Sequence, residues 1–452
     1  MKLRTIGFVG GVVLLGGAVT AVVVTGHRPE WTTSSSQALA ELEAGQDALQ
    51  KIYITDARAH LTRALQLDPN FTIVKLFLAR CLDVPATDKR VVEIIDELRR
   101  ADLSKLSPRE QFLIRFAVAN HDKDAAKEQE ILDAYVAKAP DDPFALEDAA
   151  DLAVGRQDWA EAQRDYGRLM KVDPNRVSAY NQLGYLAMAQ GRFDEAERMF
   201  QTYRYIAPDQ ANPHDSLGEL LTLTGHFHEA EKEYDEALRI KPDFCATFQH
   251  LVALYQLSDR DAEADATFSR MKQAGACGEY ATKQAACALS EWPRARSLDW
   301  DGAWKAASAN CTSDSAADNP IAFTAAVTTG RRKEAEGLLE RVKVELAKLP
   351  NAAARRQPIA AAELHMEGVL LLADGKAAEA ADRFVAADKM MTYRELGSGL
   401  FKMFNGMYRA SALQRAGARD EATKVIAGLR EVNPAFVAQC GKLLGLALPS
   451  ES

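Results

Sequence analysis

The chain has 452 residues, 47% of them hydrophobic, and a formal net charge of -9. An acidic balance argues against a nucleic-acid surface, which needs a basic stripe, and the apolar fraction suffices for a continuous core. At this length two or three globular domains are the ordinary expectation, unless the chain is a repeat array in which each unit packs only on its neighbours.

The N-terminus differs from the rest. Lys2 and Arg4 precede an uncharged run from Thr5 to Gly26. As a helix of roughly 20 residues it would match the hydrocarbon thickness of a bilayer. A single-pass transmembrane anchor over 1–26 is therefore expected. The positive-inside bias places its N-terminus in the cytoplasm of a bacterial inner membrane and the remainder in the periplasm or exterior. The alternative is a cleaved signal with a periplasmic or secreted product, but the run continues through Ala21, Val22, Val23 and Val24, beyond the roughly 7 to 15 apolar residues of a signal. Gly7 and Gly11 have the small-xxx-small spacing that can pair transmembrane helices into a homodimer. Residues 27–37, with Pro29 and the run Thr32, Thr33, Ser34, Ser35 and Ser36, read as a polar linker.

Helical periodicity begins at Ala38 and extends to 274. In 38–142 it is degenerate: Ala57, Leu61 and Ala64 lead to Asp68-Pro69, and Ser107 caps a helix whose first residue is Pro108. In 143–274 it is regular. The segment Val177 to Gln210 carries Tyr180, Leu183, Gly184 and Ala187 in one helix, turns at Gln190-Gly191, then carries Ala196, Phe200 and Tyr203 before Pro208. Its neighbours repeat this at about 34 residues: Ala149, Trp159, Ala162, Tyr166 and Pro174 on one side; Leu217, Gly218, Gly225, Ala230, Tyr234 and Pro242 on the other.

Between 275 and 319 the register is interrupted. This stretch holds Cys277, Cys287 and Cys311 together with Trp292, Trp300 and Trp304, and although Glu279 to Leu289 and Trp300 to Ala309 tolerate helix, the repeat signature is missing. A disulfide among the three cysteines suits an oxidising compartment; small buried thiols are the alternative. Repeats resume over 320–436, through Gly368, Phe384, Gly417 and Ile426, and 437–452 forms a capping helix and tail.

The spacing of Gly184, Ala196, Phe200 and Tyr203 resembles the tetratricopeptide repeat family. That resemblance implies an all-α, right-handed superhelical solenoid of antiparallel helix pairs that binds a protein or peptide on its concave face. By the family's pattern the groove is lined by Glu147, Asp151, Asn181, Tyr185, Met188, Asn212, Asp215, Glu219, Gln249 and Gln256. Clamps of this family that hold a terminal carboxylate use Lys and Arg with Asn, and only Asn181 has a counterpart here. A neutral or basic peptide suits the groove better. The segments ALQLDPNF, LSPREQFLI, NPHDSLGELL and EALRIKPDF also resemble the extracytoplasmic repeat region of membrane-anchored bacterial kinases and regulators.

Chemistry is scarce in the sequence. His214, His226, His228 and His250 fall at turn and surface positions of the repeat, and no phosphate loop, nucleophile elbow or zincin motif is present. No catalytic residue, cofactor or metal site is expected. The reading is a membrane-anchored scaffold or adaptor; the alternative is an extracytoplasmic ligand-binding sensor, or an enzyme whose site lies in 275–319.

Overall fold

The computed structural model describes residues 30–82, 84, 87–174, 176–311, 319–349 and 356–448. The expected anchor from Thr5 to Gly26, with its Gly7-Gly11 pattern, lies outside the described residues. Among those described, no helix is long and apolar enough to cross a membrane.

The described residues form 23 α-helices, one short 3-10 turn and no strand. The helices pair into eleven hairpins. Four come first: α1 (Ser36–Gln50) with α2 (Ile54–Leu67), α3 (Thr72–Arg80) with α4 (Lys89–Arg100), α5 (Pro108–His121) with α6 (Ala125–Val136), and α7 (Pro143–Gly155) with α8 (Trp159–Val172). The centre holds α9 (Ser178–Ala189) with α10 (Phe193–Ile206), α11 (Ala211–Leu223) with α12 (Phe227–Ile240), and α13 (Cys245–Leu257) with α14 (Asp261–Gln273). Then follow α15 (Glu279–Arg296) with α16 (Trp300–Asn310), α17 (Pro320–Thr328) with α18 (Arg332–Lys348), α19 (Arg356–Ala373) with α20 (Ala377–Asp388), and α21 (Leu396–Arg415) with α22 (Arg419–Val432). A last helix, α23 (Pro434–Leu443), caps the stack.

Local chemistry accounts for the boundaries. Ser107 and Glu110 form a capping box in front of Pro108, and the Asp142 side chain accepts from the backbone of Phe144 and Ala145 at the start of α7. Within a hairpin, a glycine on the first helix receives an aromatic ring from the second. A methyl group added at Gly218 would lie 2.6 Å from Tyr234, and one at Gly368 would lie 2.6 Å from Phe384. The turn between paired helices takes a left-handed residue, supplied by Gly191 at φ 72° and Gly225 at φ 79°. Elsewhere the same place holds Ile52, Lys123, Gln157, Asp259 or Leu298, all at positive φ, where a side chain is strained.

Two expectations change. The stretch 27–37 is not a free linker over its described part. Trp31 is buried, edge-on to Phe77 at 6.1 Å and to Phe144 at 5.6 Å, and Thr32 bonds Glu110 through both its backbone N–H and its hydroxyl. An aromatic residue flanked by hydroxyls thus docks on the first hairpins, an outcome that local polarity does not predict. Nor is the stretch 275–319 irregular over 279–310: α15 and α16, on the two segments that tolerate helix, form a hairpin that packs on α13, α14 and α17.

The array returns on itself. Tyr53, between α1 and α2, packs edge-on to Phe244 and accepts from the backbone N–H of Ala211, while Lys241 pairs with Asp56. The first hairpin therefore reaches the sixth and seventh. The sixth in turn meets the eleventh, where Asn433 donates to the carbonyls of Thr222 and Leu223 and Gly399 sits against Leu223.

Candidate functional site

Closure of the array makes α11 the centre of the molecule. Its sequence, ANPHDSLGELLTL, is mixed rather than apolar, yet Asn212, His214, Asp215, Ser216, Glu219 and Thr222 are all buried. Buried polar groups must find partners, and these do.

Tyr185 on α9 donates its hydroxyl to Glu219 at 2.6 Å and to Ser216 at 3.3 Å. The other oxygen of Glu219 accepts the backbone N–H of Leu396, the first residue of α21, at 2.6 Å. Asp215 accepts from the Thr247 hydroxyl at 2.7 Å and pairs with His250 Nδ1 at 3.1 Å, while His250 Nε2 lies 3.9 Å from Glu219. Burial alone would push the His250 imidazole down, but the Asp215 and Glu219 carboxylates outweigh it and hold the ring up at about 9. Burial also raises the Glu219 carboxyl, with His250, Tyr185 and the Leu396 N–H acting against it. The cluster fixes charges and hydrogen-bond directions between α9, α11, α13 and α21.

The groove residues expected from the sequence thus divide. Asn181, Met188, Asn212, Asp215, Glu219 and Gln256 are buried. Asn212 bonds the Tyr203 hydroxyl and Gln256 the carbonyl of Ala288, so these side chains already serve the fold. Tyr185, Glu147 and Gln249 are partly buried, and Asp151 is exposed. His214 and His250 are corrected: both lie inside helices, and His214 is buried against Glu233 at 2.7 Å. His226 and His228 are exposed.

Next to this cluster lies a more open acidic surface on α7. Glu147 pairs with Arg176 at 2.7 Å, and the Arg176 guanidinium lies over the Phe144 ring at 4.7 Å. Asp151 accepts the Tyr166 hydroxyl. Although Asp151 is exposed as a residue, its carboxyl sits among neighbours that desolvate and raise it, opposed by that hydrogen bond and by the charges of Arg394 and Arg80. Asp148 is pushed up to about 7, mainly by burial and further by Glu147 and Asp151, with Arg80 acting in the opposite direction. Two acceptors in this region, Asp148 Oδ2 and Asn181 Oδ1, are buried and have no hydrogen-bond partner among the described residues. A further open groove of about 760 Å³ runs along α5 and α6, lined by Phe112, Ile114, Tyr135, Arg99, Arg115 and Lys127.

Two disulfides are present among the described residues. Cys245–Cys277 ties α13 to the segment before α15, and Cys287–Cys311 ties α15 to the end of α16. The expectation named Cys277, Cys287 and Cys311 but not Cys245, which sits in a regular repeat and offers no sign of its role there. Glu291 lies beside Cys287 and Cys311, with ligand atoms within 4.8 Å of one another. The two sulfurs are bonded to each other, so this trio holds no free thiolate for a metal.

Sequence reasoning missed Ser216, Thr247, Arg394 and Leu396, and set His250 at a turn or surface position. A signal existed for some: Tyr185 and Glu219 are 34 residues apart, and Asp215 and His250 are 35 apart, the spacing that places residues on adjacent repeats. Arg394 and Leu396 come from five hairpins further on and carry no such mark.

Residues 175–243 match the family model described as tetratricopeptide repeat. No curated protein sequence matches the chain. Solved structures similar to it include a tetratricopeptide repeat protein from Parabacteroides merdae, 16% identical with a TM-score of 0.39, over 55% of this chain and 93% of that one. Also similar is PilW, a type IV pilus biogenesis factor, 14% identical with a TM-score of 0.35, over 43% of this chain and 88% of that one. A third is the APC/C hetero-tetramer Cut9–Hcn1, 14% identical with a TM-score of 0.47, over 91% of this chain and 76% of that one.

Proposed function

We infer that this tetratricopeptide-repeat protein is a membrane-anchored docking scaffold, whose concave face over α7 and α9 receives a neutral or basic segment of a partner protein. The observation that carries the reading is the acidic face of α7, Glu147, Asp148 and Asp151, together with two buried acceptors on α7 and α9, Asp148 Oδ2 and Asn181 Oδ1, that have no donor among the described residues. An unmet buried acceptor costs about 1–3 kcal/mol, which a partner's N–H or ammonium group would recover on binding. Acidic surroundings favour a donor that carries positive charge.

The N-terminal run from Thr5 to Gly26 supports anchoring in a bacterial inner membrane, with the array on the periplasmic or exterior side. The two disulfides favour an oxidising compartment and fit that side. Pairing of two copies through Gly7 and Gly11 belongs to the same proposal.

The test is recovery of partners by the full chain from detergent-solubilised membranes, wild type against Asp148→Asn with Asn181→Ala, both checked for unchanged helical circular dichroism. Proteins recovered by wild type and lost from the variant support the site. Equal recovery by both would overturn it.

A further inference from the structure

The link between α20 and α21 is longer than those between the central hairpins. Residues 207–210 and 241–244 join the central hairpins with four residues each, whereas 389–395 spends seven between Asp388 and Leu396. The extra length carries Met391 to Glu395 and the first residue of α21, Leu396, onto the central repeats.

Its contacts there resemble those of a bound peptide. The Tyr393 ring packs edge-on to Phe193 at 5.3 Å and covers the turn at Gly191, while its N–H points to the carbonyl of Ala189 at 3.5 Å. Arg394 is near enough to Asp151 for its charge to act on that carboxyl. Leu396 is buried and gives its N–H to Glu219 at 2.6 Å, beside the Tyr185 hydroxyl. The base of the link is closed by Lys402, which pairs with Asp388 at 2.7 Å and lies 5.5 Å from the Tyr393 ring. Aromatic contact, charge complementarity and a main-chain hydrogen bond together are how an extended peptide is held.

We propose that Met391 to Leu396 is an internal occupant of the groove between α9 and α11, and that the partner which displaces it is an extended segment with an aromatic residue, then a basic residue, then an aliphatic residue three places after the aromatic one. The proposal rests on the docking reading above and adds both the chemistry of the partner and a closed state. A covalently linked occupant acts at an effective concentration on the order of millimolar, so a free competitor meets a groove that is already filled. Weakening the internal segment should open the groove without touching α9 or α11.

The probe is a fluorescent peptide of residues 389–400, titrated against the full chain in detergent. Tyr393→Ala with Arg394→Glu in the protein should tighten peptide binding by about tenfold over wild type, because the internal competitor is weakened. A peptide with the same two changes should not bind, and adding Glu219→Gln to the opened protein should reduce binding again. Should the opened variant misfold, Lys402→Ala loosens the link at its base and should tighten binding in the same direction. Equal affinity of wild type and opened protein, or no binding to either opened variant, overturns the proposal. If that happens while partner recovery still depends on Asp148 and Asn181, the docking reading stands and only the internal occupant is wrong.

Discussion

The sixth hairpin and the eighth solve the same packing problem with different materials. In the sixth, Tyr234 fills the space above Gly218, and α11 and α12 bury Leu217, Leu220, Leu223 and Ala237 around it. In the eighth, the buried positions of α15 and α16 are Ala281, Ala285, Ala295, Ala303, Ala306 and Ala307, joined by the carboxyl of Glu291. An aromatic side chain removes about 150–250 Å² from water and an alanine far less, and the aromatic residues of the eighth hairpin, Trp292, Trp300 and Trp304, are only partly buried, so it gains less from full burial. It also carries Leu298 at φ 65° in its turn, and Trp292 Nε1 is buried with no hydrogen-bond partner among the described residues. Cys287–Cys311 closes this hairpin, and Cys245–Cys277 ties its start to α13 of the seventh. Covalent closure stands where hydrophobic packing is thin.

The comparison can be broken most directly in the sixth hairpin. Tyr234→Ala should cost about 3–5 kcal/mol, because it opens a cavity above Gly218 and removes one of the two hydrogen bonds of the Thr222 hydroxyl. Hydrogen exchange read hairpin by hairpin is the suitable measurement, since a repeat array need not unfold in one step. Loss of protection should centre on α11 and α12 and spread to α21, which packs on α11. A loss confined to α15 and α16 would contradict the account.

Next in size is removal of the covalent ties. Cys287→Ser with Cys311→Ser should weaken α15 and α16 by about 2–4 kcal/mol, and a reductant should reproduce this in the wild type. Protection of α9 to α12 should be unchanged in both cases. If reduction exposed the central hairpins as readily as the eighth, the division of labour described above would be wrong.

The eighth hairpin and the tenth differ in the pH that strains them. Glu291 is pushed by burial up to about 7, against an ordinary value of 4.5, with the Asn319 hydrogen bond opposing. The folded state thus holds its proton more tightly than the unfolded one, and that contribution is complete below about 4.5 and is lost as pH rises through 7. His365 on α19, packed among Phe384, Phe401, Phe404 and Tyr408, is driven by burial from 6.5 down to about 4 despite its bond to Asn405. Its contribution is present above 6.5 and is lost as pH falls through 4. Exchange of α15 should therefore quicken on the alkaline side and that of α19 on the acid side, and Glu291→Gln should remove the first effect alone.

The smallest expected change is in the turns. Leu298→Gly should stabilise the eighth hairpin by roughly 1 kcal/mol by relieving a left-handed side chain, and Gly191→Ala should cost the fifth a similar amount. Thermal melting of each variant with the disulfides intact measures both, and a destabilised Leu298→Gly would show that its side chain packs more than its backbone strains.

Much of this architecture was legible in the residues. Helical pairing, the Pro108 and Pro143 starts, the Gly191 and Gly225 turns and the Gly184–Phe200 and Gly218–Tyr234 contacts all lie within one 34-residue unit, where neighbours in sequence are neighbours in space. The expected concave face was legible as a set of positions but not in its state. Whether Glu219 meets solvent or the backbone of Leu396, whether His250 is a surface residue or an imidazole held between two carboxylates, and whether Cys245 finds Cys277 depend on how the repeats curve. That curvature is a sum of small rotations between successive hairpins, each set by packing detail that no single unit reveals. Sequence alone determined what each hairpin is made of, and the superhelix decided which hairpins meet, because contacts between the first, sixth and eleventh leave no periodic trace along the chain.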